Sequence, residues 1–273
     1  MNEVRAAFTS MRPTLWVGIS LNVVAASIAL HMPWALAAYI TICLCLSSAF
    51  SFLINDLLDR HIDAANHVVR PHVPARWTWS LAIINLTAVV VPAHPLFGIA
   101  SPSLAAALAG ILLLAALYSL AFARVVLLKN ISAALIATSP LWVCLFAGPI
   151  SHSAAFLVVV AALALYILAR EIKFDQFDAE GDRLGGRTTL PHVLPAHIVD
   201  RLEQILTFAA TGILLLMAFV SADTLGNAII PAGLAAAIGL ALYIPLRETK
   251  DIHYTTITRI AMIISPLYVV SAL

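Results

Sequence analysis

The sequence predicts an all-α polytopic membrane protein of about nine transmembrane helices, arranged as two four-helix halves plus a ninth helix. Three observations carry that prediction. The 273 residues are 62% hydrophobic and only 11% charged, with mean hydropathy +0.99, whereas a soluble domain carries about 25% charged residues. Apolar runs recur at roughly the 17–25 residues that a crossing of the bilayer needs. The basic residues fall only in alternate loops.

The spans read, in order, as residues 13–30, 34–54, 77–92, 102–122, 131–148, 154–169, 205–220, 228–246 and 260–273. Arg5 and Arg12 precede the first. Arg60, Arg70 and Arg76 lie between the second and third, and Arg124 and Lys129 between the fourth and fifth. Arg170, Lys173, Arg183, Arg187 and Arg201 lie between the sixth and seventh, and Arg247, Lys250 and Arg259 between the eighth and ninth. All 15 Lys and Arg residues therefore fall on one side. The positive-inside rule makes that side cytoplasmic, together with the N-terminus, and puts the C-terminus outside. Residues 1–273 read as a single membrane domain, with cap loops at about 55–76 and 171–203. No short h-region with a small-residue cleavage site is present at the start, so no signal peptide is expected. Cys43, Cys45 and Cys144 fall inside spans and read as small apolar packing residues, not as a disulfide framework.

Two acidic clusters share one spacing. Asp56, Asp59 and Asp63 follow D-x-x-D-x-x-x-D, and so do Asp175, Asp178 and Asp182, each 119 residues further on. On a helix the offsets i, i+3 and i+7 share a face, so each cluster is a stripe of carboxylates. One stripe ends the second span and the other ends the sixth. Equal spacing, equal membrane side and equal helix position indicate a repeat of two four-helix halves, with the site where the halves meet.

Six carboxylates so close to a membrane repel one another unless cations hold them. Hard oxygen ligands suit Mg²⁺, which takes one or two carboxylates and completes its shell with water and substrate phosphates. The metal candidates are Asp56, Asp59, Asp63, Asp175, Asp178 and Asp182, with Asn55 as a neutral oxygen. Arg70 and Arg76, and Lys173, Arg183 and Arg187 around the second cluster, are cations suited to phosphate. A solvated loop of mixed charge is the plainer alternative, but it does not account for two matched stripes abutting apolar helices. His61, His67 and His72 read as loop residues, any of which could act as a base, and none has zinc-site spacing.

These residues resemble a known family. Asn55-Asp56-x-x-Asp59-x-x-x-Asp63 followed by Arg70-Pro71 is similar to the first signature of the UbiA superfamily of intramembrane prenyltransferases. Arg170-Glu171-Ile172, then Asp175-x-x-Asp178-x-Glu180-Gly181-Asp182, closing with Gly186-x-Thr188-Thr189-Leu190-Pro191, is similar to the second. Tyr118-Ser119 at the end of the fourth span resembles the third. The resemblance covers essentially the whole chain. The gap from Asp63 to Arg70, with Asn66 inside it, looks like the N-x-P-x-R-P form of branches that make archaeal ether lipids and chlorophyll. Three positions depart from the pattern: Val68 replaces a proline, Val73-Pro74-Ala75 replaces P-S-G, and Ala123 replaces a lysine, with Arg124 beside it and Lys129 further on.

The resemblance implies helices around a central cavity and a transferase of alkyl groups other than methyl. A prenyl diphosphate donor is held through Mg²⁺ between the stripes, its allylic C–O bond ionises, and the carbocation is captured by an aromatic or lipid-like acceptor. It implies Asp56, Asp59, Asp178, Asp182 and Tyr118 as catalytic residues, and Asn55, Arg70, Lys173, Arg124 and Arg183 as diphosphate contacts. Phe50, Phe52, Tyr118, Phe122 and Tyr166 near the polar ends supply aromatic faces for a cation. The departures suit an unusual acceptor, as in natural-product biosynthesis. The expected setting is a prokaryotic cell membrane, with lipid as the medium and neither nucleic acid nor an obligate protein partner. Two other readings stand beside this one. A membrane terpene cyclase uses the same diphosphate site without an acceptor. A cation-coupled transporter would place its carboxylates near the bilayer midplane on broken helices. A CDP-alcohol phosphotransferase lacks support, because its D-G-x-x-A-R opening is absent.

Overall fold

The computed structural model describes residues 3–60, 63, 71–93, 98, 100–147 and 154–220. The expected spans 228–246 and 260–273, and Arg70 with its neighbours, lie outside the described residues. Every regular element among the described residues is helical. In chain order these are α1 (Glu3–Ser10), α2 (Thr14–Ala29), α3 (Trp34–Leu58), α4 (Ala75–Ala93), α5 (Pro102–Leu120), α6 (Leu128–Trp142), α7 (Ala154–Leu184), α8 (Leu190–Val193) and α9 (Ala196–Val220). Short 3₁₀ turns, Phe122–Arg124 and Val143–Phe146, follow α5 and α6.

Local chemistry explains the starts and breaks. Ser101 caps α5 by accepting the Leu104 N–H at 3.2 Å, and Pro102 occupies the first helical position, where no N–H is needed. Within α6, Pro140 cannot donate to the Ile136 carbonyl. The Ser139 hydroxyl does so at 2.7 Å, which matters where no water can substitute. Between α3 and α4, Asn85 donates to the Ser47 hydroxyl at 2.7 Å, a buried polar tie between apolar helices.

Trp34–Leu58, Pro102–Leu120 and Leu128–Phe146 are long and apolar enough to cross a membrane, and Thr14–Ala29 is a shorter apolar helix. Ile42, Ile83, Val90, Leu113, Ile205 and Leu216 face outward, as side chains meeting lipid tails do. The inner faces form one central core that joins α2, α3, α5, α6, α7 and α9 through Val23, Ile40, Leu108, Leu141, Val159 and Leu214.

Three boundaries differ from the sequence reading. The run beyond the sixth span is not loop: α7 continues unbroken to Leu184 over 31 residues, about 46 Å at 1.5 Å per residue, well past a hydrocarbon core of about 30 Å. Its charged half packs on α6 and α9, which holds it helical despite its polarity. Likewise α9 begins at Ala196, and α1 precedes the first span. Ala6 and Ala7 of α1 pack with Ala49 and Leu53 of α3.

Candidate active site

The site is built where α3 and α7 end. Asp56 lies in the last turn of α3, and the Asp59 N–H closes that turn on the Asn55 carbonyl at 2.8 Å. The Asp63 N–H bonds the Asp59 carbonyl at 2.8 Å, the i to i+4 pairing of one helical turn. The second stripe lies wholly on α7. Asp56, Asp59, Asp175 and Asp182 are buried, at 5%, 6%, 2% and 2% exposure, whereas Asp63, Asp178 and Asn55 are half-buried.

Buried carboxylates need partners, since desolvating an unpaired ion costs several kcal/mol. Three cations supply them. The Lys129 ammonium, in the first turn of α6, donates to Asp175 Oδ1 at 2.6 Å and lies 3.4 Å from Asp182 Oδ2. Asn130 donates to the other Asp175 oxygen at 3.0 Å. Burial pushes the Asp175 carboxyl up, and the Lys129 charge with the Lys129 and Asn130 hydrogen bonds pulls against it without reversing the direction. A lysine at a helix N-terminus opposes the helix dipole. Leu127 just before it adopts φ +66°, a strained conformation for a branched side chain. Local structure therefore disfavours this placement, and the two carboxylates offset it.

The second cation is Arg187. Its guanidinium hydrogen-bonds Asp59 of the first stripe, and its other terminal nitrogen lies 3.7 Å from Asp182 of the second. Burial lowers the Arg187 proton affinity, and the Asp59 and Asp182 interactions raise it further than burial lowers it. Its position follows from how α7 stops. Gly186 adopts φ +71°, the Gly186 N–H bonds the Arg183 carbonyl at 3.2 Å, and the Arg187 N–H bonds the Asp182 carbonyl at 2.8 Å. This is a Schellman ending, which turns the chain back over the helix end and directs Arg187 toward its own stripe. The third cation, Arg12, lies 3.4 Å from Asp56 Oδ1, with the Phe52 ring 4.2 Å from its guanidinium carbon.

Tyr118, in the last turn of α5, lies within electrostatic reach of Lys129, Arg187 and Asp59. One turn deeper, Phe50, Ile54 and Ala115 pack together as an apolar floor.

Not every predicted contact is brought here. Lys173 turns to α9, where it and Gln176 both donate to Asp200 at 3.0 Å. Arg183 pairs with Glu180 in solvent at 2.7 Å. Arg124 is exposed in the 3₁₀ turn after α5, while Lys129, five residues on, reaches the stripe. Arg12 and Asn130 were not among the residues singled out by sequence. Neither carries a local signal, because each acts on an aspartate 44 or 45 residues away. Among the described residues no three His, Cys, Asp or Glu side chains converge as a metal-ligand set; Asp56, Asp59, Asp175 and Asp182 turn to the cations. The donors are nevertheless all hard oxygens, the chemistry of a divalent site completed by substrate phosphates.

An all-helical membrane bundle whose two acidic stripes are bridged by an arginine defines a class of intramembrane protein, and comparison with known proteins places it. The UbiA prenyltransferase family matches residues 11–262. A UbiA homolog from Archaeoglobus fulgidus, solved bound to GPP and Mg²⁺, shares the fold with TM-score 0.73 at 18% identity, over 97% of this chain and 99% of that one. A digeranylgeranylglyceryl phosphate synthase has TM-score 0.70 at 17% identity, over 100% of this chain and 98% of its own. The apo UbiA homolog from Aeropyrum pernix K1 has TM-score 0.64 at 14% identity, over 96% of each chain. None of the curated proteins matches this sequence. The chain belongs to the UbiA prenyltransferase family.

Proposed function

We propose that this chain is a Mg²⁺-dependent intramembrane prenyltransferase that moves an isoprenoid chain from a prenyl diphosphate to an aromatic or lipid-like acceptor through an allylic carbocation. The observation that carries the reading is Arg187, half-buried between Asp59 and Asp182 and so joining the two stripes through one planar, phosphate-suited side chain. The family and the neighbours bound to prenyl diphosphates with Mg²⁺ support it.

In this reading Asp56 and Asp59 at the end of α3, with Asp178 and Asp182 on α7 and Asp63 at the margin, would hold Mg²⁺. When bound, the metal supplies positive charge that stabilises the departing diphosphate. Asp175 has a different role, since both its oxygens are engaged by Lys129 and Asn130. It holds Lys129 in place. Lys129, Arg187 and Arg12 form the cation set toward diphosphate oxygens, with the guanidinium forks able to bind two oxygens at once. They replace Arg124, Lys173 and Arg183 in that role. The apolar floor of Phe50, Ile54 and Ala115 excludes water from the allylic carbon, and the Tyr118 ring offers a π face to the developing cation. The site faces the cytoplasm, where the basic loops lie. The neighbouring digeranylgeranylglyceryl phosphate synthase favours a lipid-like acceptor.

The test is diphosphate release by purified protein in detergent, with and without Mg²⁺, from geranyl, farnesyl and geranylgeranyl diphosphates. The organic extract is analysed by mass spectrometry, alone and with pooled aromatic and lipid acceptors. Mg²⁺-dependent release with a prenylated acceptor is expected. A cyclised hydrocarbon formed without acceptor would identify the cyclase instead, and no release from any donor would overturn both.

A further inference from the structure

The strap between α7 and α9 carries a histidine whose hydrogen bonds define its protonation state. The Thr189 N–H donates to His192 Nδ1 at 3.0 Å. A backbone N–H can only donate, so Nδ1 carries no proton. His192 Nε2 lies 2.8 Å from the Ala179 carbonyl of α7, an oxygen that can only accept, so Nε2 carries the proton. The ring is therefore neutral and tied at both ends. The Thr189 hydroxyl, 3.1 Å from Nδ1, adds a second donor to the same nitrogen.

This is a capping box, with His192 at the third helical position of α8 where Glu or Gln is usual. Histidine adds what those residues lack, a second bond back to the neighbouring helix and a titration near neutrality. The strap has two other anchors, the Gly186 turn and Leu190, which packs between Ile172 of α7 and Val199 of α9. Arg187 lies between the Gly186 turn and Thr189, so the three anchors together aim its guanidinium at Asp59.

We propose that His192 is a positioning residue for this site: its neutral ring ties Thr189 to α7 and so holds Arg187 between the two acidic stripes, and protonation of the ring releases the strap. The imidazolium carries a proton on Nδ1, facing the Thr189 N–H. The threonine hydroxyl can rotate to accept that proton, but the backbone N–H is left without an acceptor. Among the described residues the charged groups around the ring are few. From α7, Glu180 acts on His192 electrostatically, and Arg183 engages Glu180. Within the strap there is Arg187, turned to Asp59. At the start of α9 lie His197 and Asp200, the latter engaged by Lys173 and Gln176.

The inference rests on the diphosphate-binding reading of Arg187, and the experiment separates the two. Hydrogen exchange of the peptide spanning residues 185–194 is measured by mass spectrometry at pH 7.5 and 5.5, corrected for intrinsic rates, in the wild type, His192→Gln and His192→Phe. The apparent KM for prenyl diphosphate with Mg²⁺ is measured on the same samples. The wild type is expected to lose protection at pH 5.5 and to raise its KM about fivefold, the factor that loss of one helix-cap bond represents. His192→Gln, which accepts from Thr189 and does not titrate, is expected to keep protection and a pH-independent KM. His192→Phe is expected to behave at both pH values like the acidified wild type. Equal pH dependence in wild type and His192→Gln would overturn the proposal, as would unchanged protection in His192→Phe. Protection that follows this pattern while no variant turns over any prenyl diphosphate would uphold the strap and reject the enzymatic reading.

Discussion

The Arg187 guanidinium hydrogen-bonds Asp59, a residue 128 positions earlier in the chain, and so joins the end of α7 to the end of α3. Because its partner Asp59 is a buried carboxylate, loss of the half-buried Arg187 side chain leaves uncompensated negative charge in the site.

Arg187→Lys is therefore expected to keep the charge and lose the fork. A compact ammonium cannot satisfy Asp59 and Asp182 in the planar manner of a guanidinium. The apparent affinity for prenyl diphosphate should fall about tenfold to a hundredfold, as expected for a loss of roughly 1.4–3 kcal/mol in charge-assisted bonding. Steady-state release of diphosphate against donor concentration measures it, and an unchanged KM would remove Arg187 from the binding set.

Lys129→Met strands Asp175, whose remaining hydrogen bond comes from neutral Asn130, while Asp182 keeps Arg187; breaking a buried pair from one side costs about 3–5 kcal/mol. A large fall in the melting temperature in detergent is expected. Adding Asp175→Asn to Lys129→Met should recover most of the stability without recovering turnover, because Asn needs no counter-ion while the cation stays lost. Full activity in the double variant would show that Lys129 serves the fold alone.

Gly186→Ala tests the turn that delivers Arg187. The site is roomy, with nothing within 4 Å of an added Cβ, so the whole effect comes from φ +71°. A left-handed alanine costs about 1–2 kcal/mol. A modest loss of stability with a disproportionate rise in KM is expected, comparing thermal melts with donor titrations. Equal small changes in both would mean that Arg187 finds its place without the Schellman ending.

Glu203 gives a pH signature away from the site. Burial pushes its carboxyl above the ordinary value, opposed by the Thr207 hydroxyl and the Lys173 charge. With the folded value raised, its favourable contribution is complete below the unfolded value of about 4.5 and is lost as pH rises through the folded value. Above the unfolded value Glu203 therefore costs stability relative to a neutral side chain of the same shape. Glu203→Gln should melt higher than wild type at pH 7.5, with the gap closing as the pH falls toward 4.5. A gap that stays constant across that range would refute the assignment.

What the sequence by itself determined was what local periodicity encodes. The i, i+3, i+7 spacing put each trio of aspartates on one face, because a helix repeats within a few residues whatever surrounds it. Apolar run lengths and the one-sided placement of Lys and Arg indicated a membrane bundle for the same reason, and the motifs indicated the family. The tertiary structure alone decided which cation serves which carboxylate. Lys129 and Arg124 are equally plausible five residues apart, and only the packing of α6 against α7 brings Lys129 to Asp175. Lys173 and Arg183, close to the second stripe in sequence, project to Asp200 and Glu180 instead. Arg12 and Asn130 come from the ends of other helices and had no sequence signal at all. Ion pairing in a low-dielectric interior depends on distances of a few ångströms between segments far apart in the chain. The same packing on α6 and α9 keeps residues 171–184 helical, although their charge alone reads as a loop.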